Sequence, residues 1–155
     1  MPPRPDRLLI FLHSGDYDRM HHGLSIAAAA VAQERPVELY FVWWALERLL
    51  DDRLDEPEFG TGREAVADRF EARNLPTLRT LLEYLADSGL CTRVGCTGSL
   101  AALGRQAQAQ AQAQASETAG QEGASSAAAA GGIQLWLGWS AILQRTAGVP
   151  DRFTL

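Results

Sequence analysis

A short apolar run near the start of the chain restricts its fold more than any other feature of the sequence. Residues 8–12 are five apolar side chains in succession, with polar residues on both sides of the run. A strand that is apolar throughout needs cover on both of its faces, as in a parallel sheet. Apolar side chains at helical spacing follow as far as Gln33, and the β-forming segment 37–42 comes next. This order of strand, helix and strand predicts a parallel βαβ unit with a right-handed crossover.

The alternation of helix and strand patterns continues toward the end of the chain. In order, the patterns predict that residues 43–46 end the second strand and that a short helix then runs to Leu50. A weak helix over 63–73, a helix over 77–87, a strand over 90–94 and a helix that begins at 100 follow. The helix over 77–87 is the clearest, because its leucines recur at helical spacing and Gly89 is placed to end it. The last pattern is an amphipathic helix that begins near Ile133 and contains Leu135, Trp136, Trp139, Ile142 and Leu143.

These patterns together define the expected fold class and the expected place of a site. Alternating strands and helices predict one α/β domain over residues 1–155, a three-layer fold with an open, mainly parallel, flavodoxin-like sheet and helices on both faces. In such sheets ligands bind beside the carboxyl ends of the strands. We therefore expect residues 13–17, 43–46 and 95–99 to converge on one edge of the sheet.

Residues 105–132 differ from the rest of the chain in composition. Gln-Ala repeats lead into a segment of Ser, Glu, Gly and Ala that contains almost no large apolar side chain. Such a segment buries too little apolar surface to offset the entropy of ordering it. We expect a low-complexity insertion that is disordered or loosely helical.

The composition excludes several classes of function. All 14 basic residues are arginine, so a Walker A loop and a Schiff-base lysine are both impossible. The net charge of -5 argues against general binding to nucleic acid or to an anionic membrane. No apolar stretch is long enough to span a bilayer, and the first residues lack the apolar run of a signal peptide. We expect a cytoplasmic protein without a metal or a cofactor.

The two cysteines of the chain, Cys91 and Cys96, are expected to differ in chemistry. Cys96 follows a predicted strand and precedes a predicted helix, where unpaired N–H groups favour a thiolate and lower the pKa. The alternative is a thiol that only packs in the core, and for Cys91, inside the strand, packing is the favoured interpretation. A disulfide between them is disfavoured, because five extended steps of ~3.3 Å place the two residues ~16 Å apart.

Two other segments of the expected edge allow more than one interpretation. Ser14, Gly15 and Asp16 form either an anion-binding turn at a helix N-terminus or a simple capped turn. Trp43 and Trp44 either wall a pocket, pack in the core or seal a contact between subunits.

Four segments of the chain resemble, in order, the DsrE/DsrF-like family of sulfur-relay proteins. They are "LLIFLHSGDYDRMHHGLSIAAAAVA", "VELYFVWWAL", "LRTLLEYLADSGLCTRVGCTGSLAALG" and "GGIQLWLGWSAIL". The sequence departs from the family at Ala45, where a glycine is usual. It also departs between Gly104 and Gly131, where the family has a shorter segment that includes a strand.

The resemblance implies a small, mainly parallel sheet and a closed homo-oligomer, a homotrimer or a homohexamer. It also implies that Cys96 occupies the position of the persulfide-carrying cysteine, with Ser99 completing the family's Cys-x-x-Ser pattern. The aromatic content supports the oligomer, since Trp43, Trp44, Trp136 and Trp139 are too many for one small core to bury completely.

The expected function is therefore that of a DsrE-like sulfur-relay protein that carries or transfers persulfide sulfur on Cys96. Sulfur-donor and sulfur-acceptor proteins are its expected partners. The expected substrate-binding residues are Ser14, Gly15, Asp16, Tyr17, Trp44, Thr97 and Ser99. The alternative is a non-enzymatic oligomeric module that binds a small anion or nucleotide at the same edge, with an inert cysteine.

Overall fold

A computed structural model of the chain describes residues 6–119 and 132–155. Its strands form one five-stranded, all-parallel sheet. The strands are β1 (Leu8–Leu12), β2 (Val37–Phe41), β3 (Cys91–Cys96), β4 (Leu135–Leu137) and β5 (Arg152–Thr154). The helices are α1 (Tyr17–Ala32), α2 (Trp43–Leu50), α3 (Glu64–Ala72), α4 (Leu78–Asp87), α5 (Thr97–Ala102), α6 (Gln106–Ala119) and α7 (Trp139–Thr146). The strand order across the sheet is β4-β3-β2-β1-β5.

The sheet is covered on both faces, which confirms the expected three-layer α/β fold. Alternate side chains of a strand point to opposite faces, so Ile10 and Leu39 face one layer while Leu9 and Tyr40 face the other. Helices α1–α6 all contribute buried side chains to the layer that contains Ile10. The opposite layer has cover from α7, through Ile142, and from Val149.

The path of the chain explains why α7 lies apart from the other helices. Strands β1 to β4 are added side by side in one direction across the sheet, so right-handed crossovers place the connecting helices on the same face. After β4 the chain returns past β1 to form β5, and this reversal carries α7 to the opposite face. The reversal lies between β1 and β5, the position where open α/β sheets commonly have their binding crevice.

The expectations for the first half of the chain are confirmed, apart from the start of one helix. The β1–α1–β2 unit has the predicted order, and β1 pairs with β2 in register from Leu8 with Val37 to Leu12 with Phe41. Helices α3 and α4 lie where their patterns predict them, whereas α2 already begins at Trp43, so residues 43–46 are helical and do not end the strand as expected. Gly89 follows the end of α4 with a φ of +68°, a left-handed conformation that favours glycine at this position.

The expectation for the last part of the chain is wrong in one respect. Leu135 and Trp136 belong to strand β4 and not to a helix, and the helix begins at Trp139. The physical reason is pairing, because β3 runs on to Cys96 and offers an open edge that Leu135–Leu137 completes. Strand β5 has no counterpart among the sequence-based predictions.

Part of the low-complexity segment is described by the structure. Its first part forms α6, with Ala109 buried against the core, whereas the part at 120–131 lies outside the described residues. Within the described ranges, none of the helices combines the length and apolar character needed to cross a membrane.

A buried charge cluster joins α7 to the sheet. The carboxylate of Glu38, on β2, accepts from Arg7 at 2.6 Å and from Arg145 of α7 at 2.6 Å. The hydroxyl of Tyr40 donates to the other oxygen of Glu38. Burial and this bond raise the pKa of Tyr40, so its hydroxyl stays a donor. The cluster satisfies a carboxylate that is otherwise costly to bury.

Candidate functional site

The carboxyl ends of the strands bring the sequence-predicted segments to one side of the molecule. We call this region the carboxyl edge and define it as residues 13–16, 43–44, 96–99 and 138–139. The segments after β1 and β2 are in direct contact, since the N–H of Ala45 donates to the carbonyl of His13 at 3.2 Å. Strand β3 is the neighbour of β2, so Cys96–Ser99 lies one strand further along the same edge.

Cys96 is the last residue of β3 and the N-cap of α5. Its Sγ accepts the backbone N–H of Ser99 at 3.5 Å, in the place that a serine or aspartate oxygen usually takes at a helix N-cap. The side chain is only 1% exposed and packs in the layer that contains Tyr40 and Val42. The thiol is therefore held by a backbone donor just beneath the carboxyl edge.

Two exposed residues, Thr97 and Gly98, follow Cys96 on the surface. Gly98 is exposed, and a Cβ built on it has Cys96 Sγ as a neighbour at 3.8 Å. Apart from its chain neighbours and the backbone of α5, no other heavy atom of the described residues lies within 4 Å of that position. Thr97 is also exposed, and its Oγ1 lies 3.4 Å from a Cβ built on Gly138.

The Ser99 hydroxyl is buried without a hydrogen-bond partner. Ser99 is 3% exposed, and its Oγ has no donor or acceptor among the described residues. Leaving a buried hydroxyl unpaired costs about 1–3 kcal/mol. The residue that donates its N–H to Cys96 therefore also carries a hydroxyl with unused hydrogen-bonding capacity.

Cys91 lies at the opposite end of β3 and differs sharply in its surroundings. It pairs in register with Val37 at the start of β2, whereas Cys96 comes after the residue that pairs with Phe41 at the end of β2. Burial raises the pKa of the Cys91 thiol to about 12, so this thiol stays protonated at neutral pH. Both cysteines are free thiols, as expected from their separation along the strand.

The turn after β1 uses its backbone donors within the protein. The N–H groups of His13 and Ser14 donate to the carbonyl oxygen of Leu155 at 2.7 and 3.2 Å. The N–H of Asp16 donates to Ser14 Oγ at 3.1 Å, and the exposed carboxylate of Asp16 lies 3.7 Å from Arg19. A turn with these donors engaged and a carboxylate on its surface is a poor receptor for an anion.

The carbonyl side of the same turn is anchored by a buried arginine. Arg48, on α2, is 4% exposed, and its Nε donates to the carbonyl oxygen of Gly15 at 2.5 Å. Its Nη1 and Nη2 donate to Arg53 O at 3.0 Å and to Glu58 at 2.9 Å. One guanidinium therefore joins the turn after β1 to the connection that follows α2.

Tyr17 and Trp44 have very different positions. Tyr17 is fully buried, its ring packs edge-on against Phe59 and Phe70, and its hydroxyl accepts the N–H of Leu78 at 3.3 Å. Trp44, in contrast, is 51% exposed at the carboxyl edge. The structure thus leaves Trp44 available to a ligand or partner and places Tyr17 in the core.

Three tryptophans of the carboxyl edge are exposed. Trp43 and Trp139 are 39% and 48% exposed, and the rings of Trp43 and Trp44 lie 6.0 Å apart. Trp43 has a φ of +46°, a left-handed conformation that costs a bulky residue about 1–3 kcal/mol. Strain of this size at an exposed aromatic residue is typical of functional sites.

Several of these features were beyond the reach of the sequence analysis. The anchoring role of Arg48 was missed, although an arginine flanked by leucines on the buried side of α2 is a signal for it. The nearness of Gly98 to the sulfur of Cys96 was also missed, because an exposed glycine near a helix start has no distinctive sequence pattern. In residues 6–119 and 132–155, no group of three or more His, Cys, Asp or Glu side chains is placed to hold a metal ion.

Comparison of the chain with protein-family models and with curated proteins found no match.

Proposed function

We propose that this protein is a DsrE-like sulfur carrier that holds persulfide sulfur on Cys96. The observation that carries the proposal is the position of Cys96 at the end of an inner strand, with its Sγ bonded to the Ser99 N–H at 3.5 Å. Cys91 provides the contrast, because it lies at the opposite end of β3, away from the carboxyl edge. The ordered resemblance of four chain segments to the DsrE/DsrF-like family supports the same assignment.

The proposed reaction is a sulfur transfer between thiols and needs no oxidant. The Cys96 thiolate attacks the outer sulfur of a donor persulfide, R–S–SH, and forms a new S–S bond. The S–S bond of the donor breaks, and the donor leaves as the thiolate RS⁻. In the second step an acceptor thiolate attacks the outer sulfur on Cys96, so the sulfur moves on and Cys96 returns to its thiolate form. The backbone N–H of Ser99 stabilises the Cys96 thiolate in both steps.

The other residues of the carboxyl edge have supporting roles in this proposal. Thr97, which follows the cysteine, and Trp44, at the start of α2, are both exposed on the carboxyl edge and contact the incoming donor or acceptor protein. The turn formed by Ser14, Gly15 and Asp16 shapes the neighbouring wall and is held there by Arg48. A carrier of this kind requires free thiols, which fits the reducing cytoplasm.

Intact-mass measurement after incubation with glutathione persulfide tests the proposal. We expect the wild-type chain to gain the mass of one sulfur, Cys91→Ser to gain it equally, and Cys96→Ser to gain none. Trypsin cleaves after Arg93 and so separates the two cysteines into different peptides, which assigns the added sulfur directly. Absence of an adduct on the wild-type chain would overturn the proposal.

We further propose that the carrier is a closed homo-oligomer, a trimer or a hexamer. Trp139 and Leu143 lie one turn apart on α7 and are 48% and 64% exposed, and Trp43 and Trp44 add to the exposed apolar surface. Apolar surface of this kind usually marks an interface. Light scattering at micromolar concentration tests the assembly, and a mass of 16.8 kDa would overturn it.

A further inference from the structure

We infer that a groove beside α3 is a docking site for a basic segment of a partner protein. The groove is a cavity of about 400 Å³ between the connection at 55–57, helix α3 and the segment at 74–77. None of its lining residues belongs to the carboxyl edge, so the inference does not depend on the chemistry of Cys96.

The groove has an acidic lining whose charge the chain does not balance. The lining contains four carboxylates and no arginine or histidine, and the four belong to Asp55, Glu56, Asp68 and Glu71. Arg79 contacts the carboxylate of Asp55 at 2.8 Å, whereas no ion pair within the described residues involves the other three. Asp68 and Glu71 are three residues apart on α3, where like charges repel each other and destabilise a helix. A basic partner removes this repulsion.

Apolar side chains lie beside these carboxylates in the same groove. Phe70 is the buried residue of α3, and its ring packs edge-on against Tyr17 and His21, with ring centres 6.0 and 5.0 Å away. Leu75 also lines the groove, although it is 44% exposed. An arginine or lysine packs its apolar stem on such a surface while its charged end reaches a carboxylate. The groove therefore offers both of the contacts that a basic side chain makes.

The arrangement favours a protein segment over a smaller cation. In the part of the chain that the structure describes, no three acidic, histidine or cysteine side chains are placed to hold a metal ion, so these carboxylates do not converge on one point. A small organic cation needs walls that enclose most of its surface. The four acidic residues and Leu75 are all exposed, so the groove does not supply such walls. A partner protein brings its further contacts with it, and charge complementarity specifies a segment with arginine or lysine next to an apolar residue.

The first experiment measures the role of the carboxylates. Fluorescence anisotropy at low ionic strength follows the binding of a labelled peptide built from Arg-Leu-Arg units to the full chain. The double variant Asp68→Asn, Glu71→Gln is compared with the wild type and with a control, Glu83→Gln, Asp87→Asn. The control removes two exposed carboxylates from α4 and therefore has the same net charge. We expect the Kd to rise about fivefold in the groove variant and to stay within about twofold of the wild type in the control.

The second experiment measures the apolar contact. Leu75→Ala is expected to raise the Kd for the same peptide about threefold, because less apolar surface is buried on binding. Tyr84→Ala is the control, since it removes a side chain that is 47% exposed on α4, outside the groove. Its Kd is expected to equal that of the wild type. A peptide with glutamate in place of arginine is expected not to bind.

Several outcomes would overturn the inference. They are no binding of the peptide to the wild-type chain, an equal rise of the Kd in both double variants, and an unchanged Kd in Leu75→Ala. Spermidine that binds as tightly as the peptide would assign the groove to small amines instead. The thermal midpoint of the groove variant is expected to equal or exceed that of the wild type, because two like charges are removed. A lower midpoint together with weaker binding would show that the carboxylates are structural, and this too overturns the inference.

Discussion

Removal of the Arg48 guanidinium is expected to destabilise the protein more than any ordinary surface change. Arg48 is 4% exposed, and its three nitrogens bond to the carbonyl oxygens of Gly15 and Arg53 and to the carboxylate of Glu58. Arg48→Ala leaves two carbonyl oxygens without these donors and empties the space of the side chain. The loss of a buried charged group with several partners costs about 3–5 kcal/mol, a large fraction of the 5–15 kcal/mol typical of a whole domain.

The contacts of Arg48 predict how much each of them contributes to the loss of unfolding free energy. The Glu58 side chain is 54% exposed, so water screens its ion pair with Arg48. Glu58→Gln is therefore expected to lower the free energy of unfolding by about 0–1 kcal/mol. Arg48→Lys keeps the charge but loses the planar arrangement of donors, and is expected to cost about 2 kcal/mol. The exposed Arg53 supplies the matched control, since Arg53→Ala retains the backbone carbonyl that Arg48 uses.

Urea unfolding at 25 °C gives the free energy of unfolding for each variant. The reasoning requires the order Arg48→Ala, Arg48→Lys, Glu58→Gln and Arg53→Ala, from the largest loss to the smallest. A loss below about 1 kcal/mol for Arg48→Ala would refute the anchoring role. A Glu58→Gln variant as unstable as Arg48→Ala would show that the ion pair, and not the bonds to the two loops, is the source of the stability.

Three further predictions follow from individual contacts. In Gly15→Ala the new Cβ lies 2.8 Å from the Trp44 carbonyl oxygen, so the two loops must separate. We expect urea unfolding to show a free energy of unfolding lower by about 1–3 kcal/mol. An unchanged free energy of unfolding would contradict the contact. Glu38→Gln leaves Arg7 and Arg145 without a counter-charge and is expected to lower the free energy of unfolding by about 2–4 kcal/mol, whereas unchanged stability would contradict the cluster. The pKa of Cys91 is raised to about 12 in the folded state, so its contribution to stability is complete below the ordinary thiol pKa of ~8.5 and is lost as the pH rises toward 12. Stability measured against pH is therefore expected to fall more steeply above pH ~9 in the wild type than in Cys91→Ala, and parallel curves would contradict the assignment.

Local patterns determined the first half of this fold. The apolar run of β1, the helical spacing in α1 and the leucines of α4 each contain enough residues to define a period, so their positions follow from the sequence alone. The place of Cys96 between a strand and a helix also follows, although β3 runs on to Cys96 instead of ending at Val94 and α5 begins at Thr97 instead of at 100. For this reason the carboxyl edge was predictable as a region.

Tertiary structure decided the edges of the sheet and the details of the site. Strands β4 and β5 have three residues each, too few for a period, and they exist because β3 and β1 offer unpaired backbone groups to them. The inward position of Tyr17 likewise depends on the N–H of Leu78, 61 residues away in sequence. The burial of Cys96 and the unpartnered hydroxyl of Ser99 depend on packing against segments distant in sequence, and no pattern of neighbouring residues contains that information.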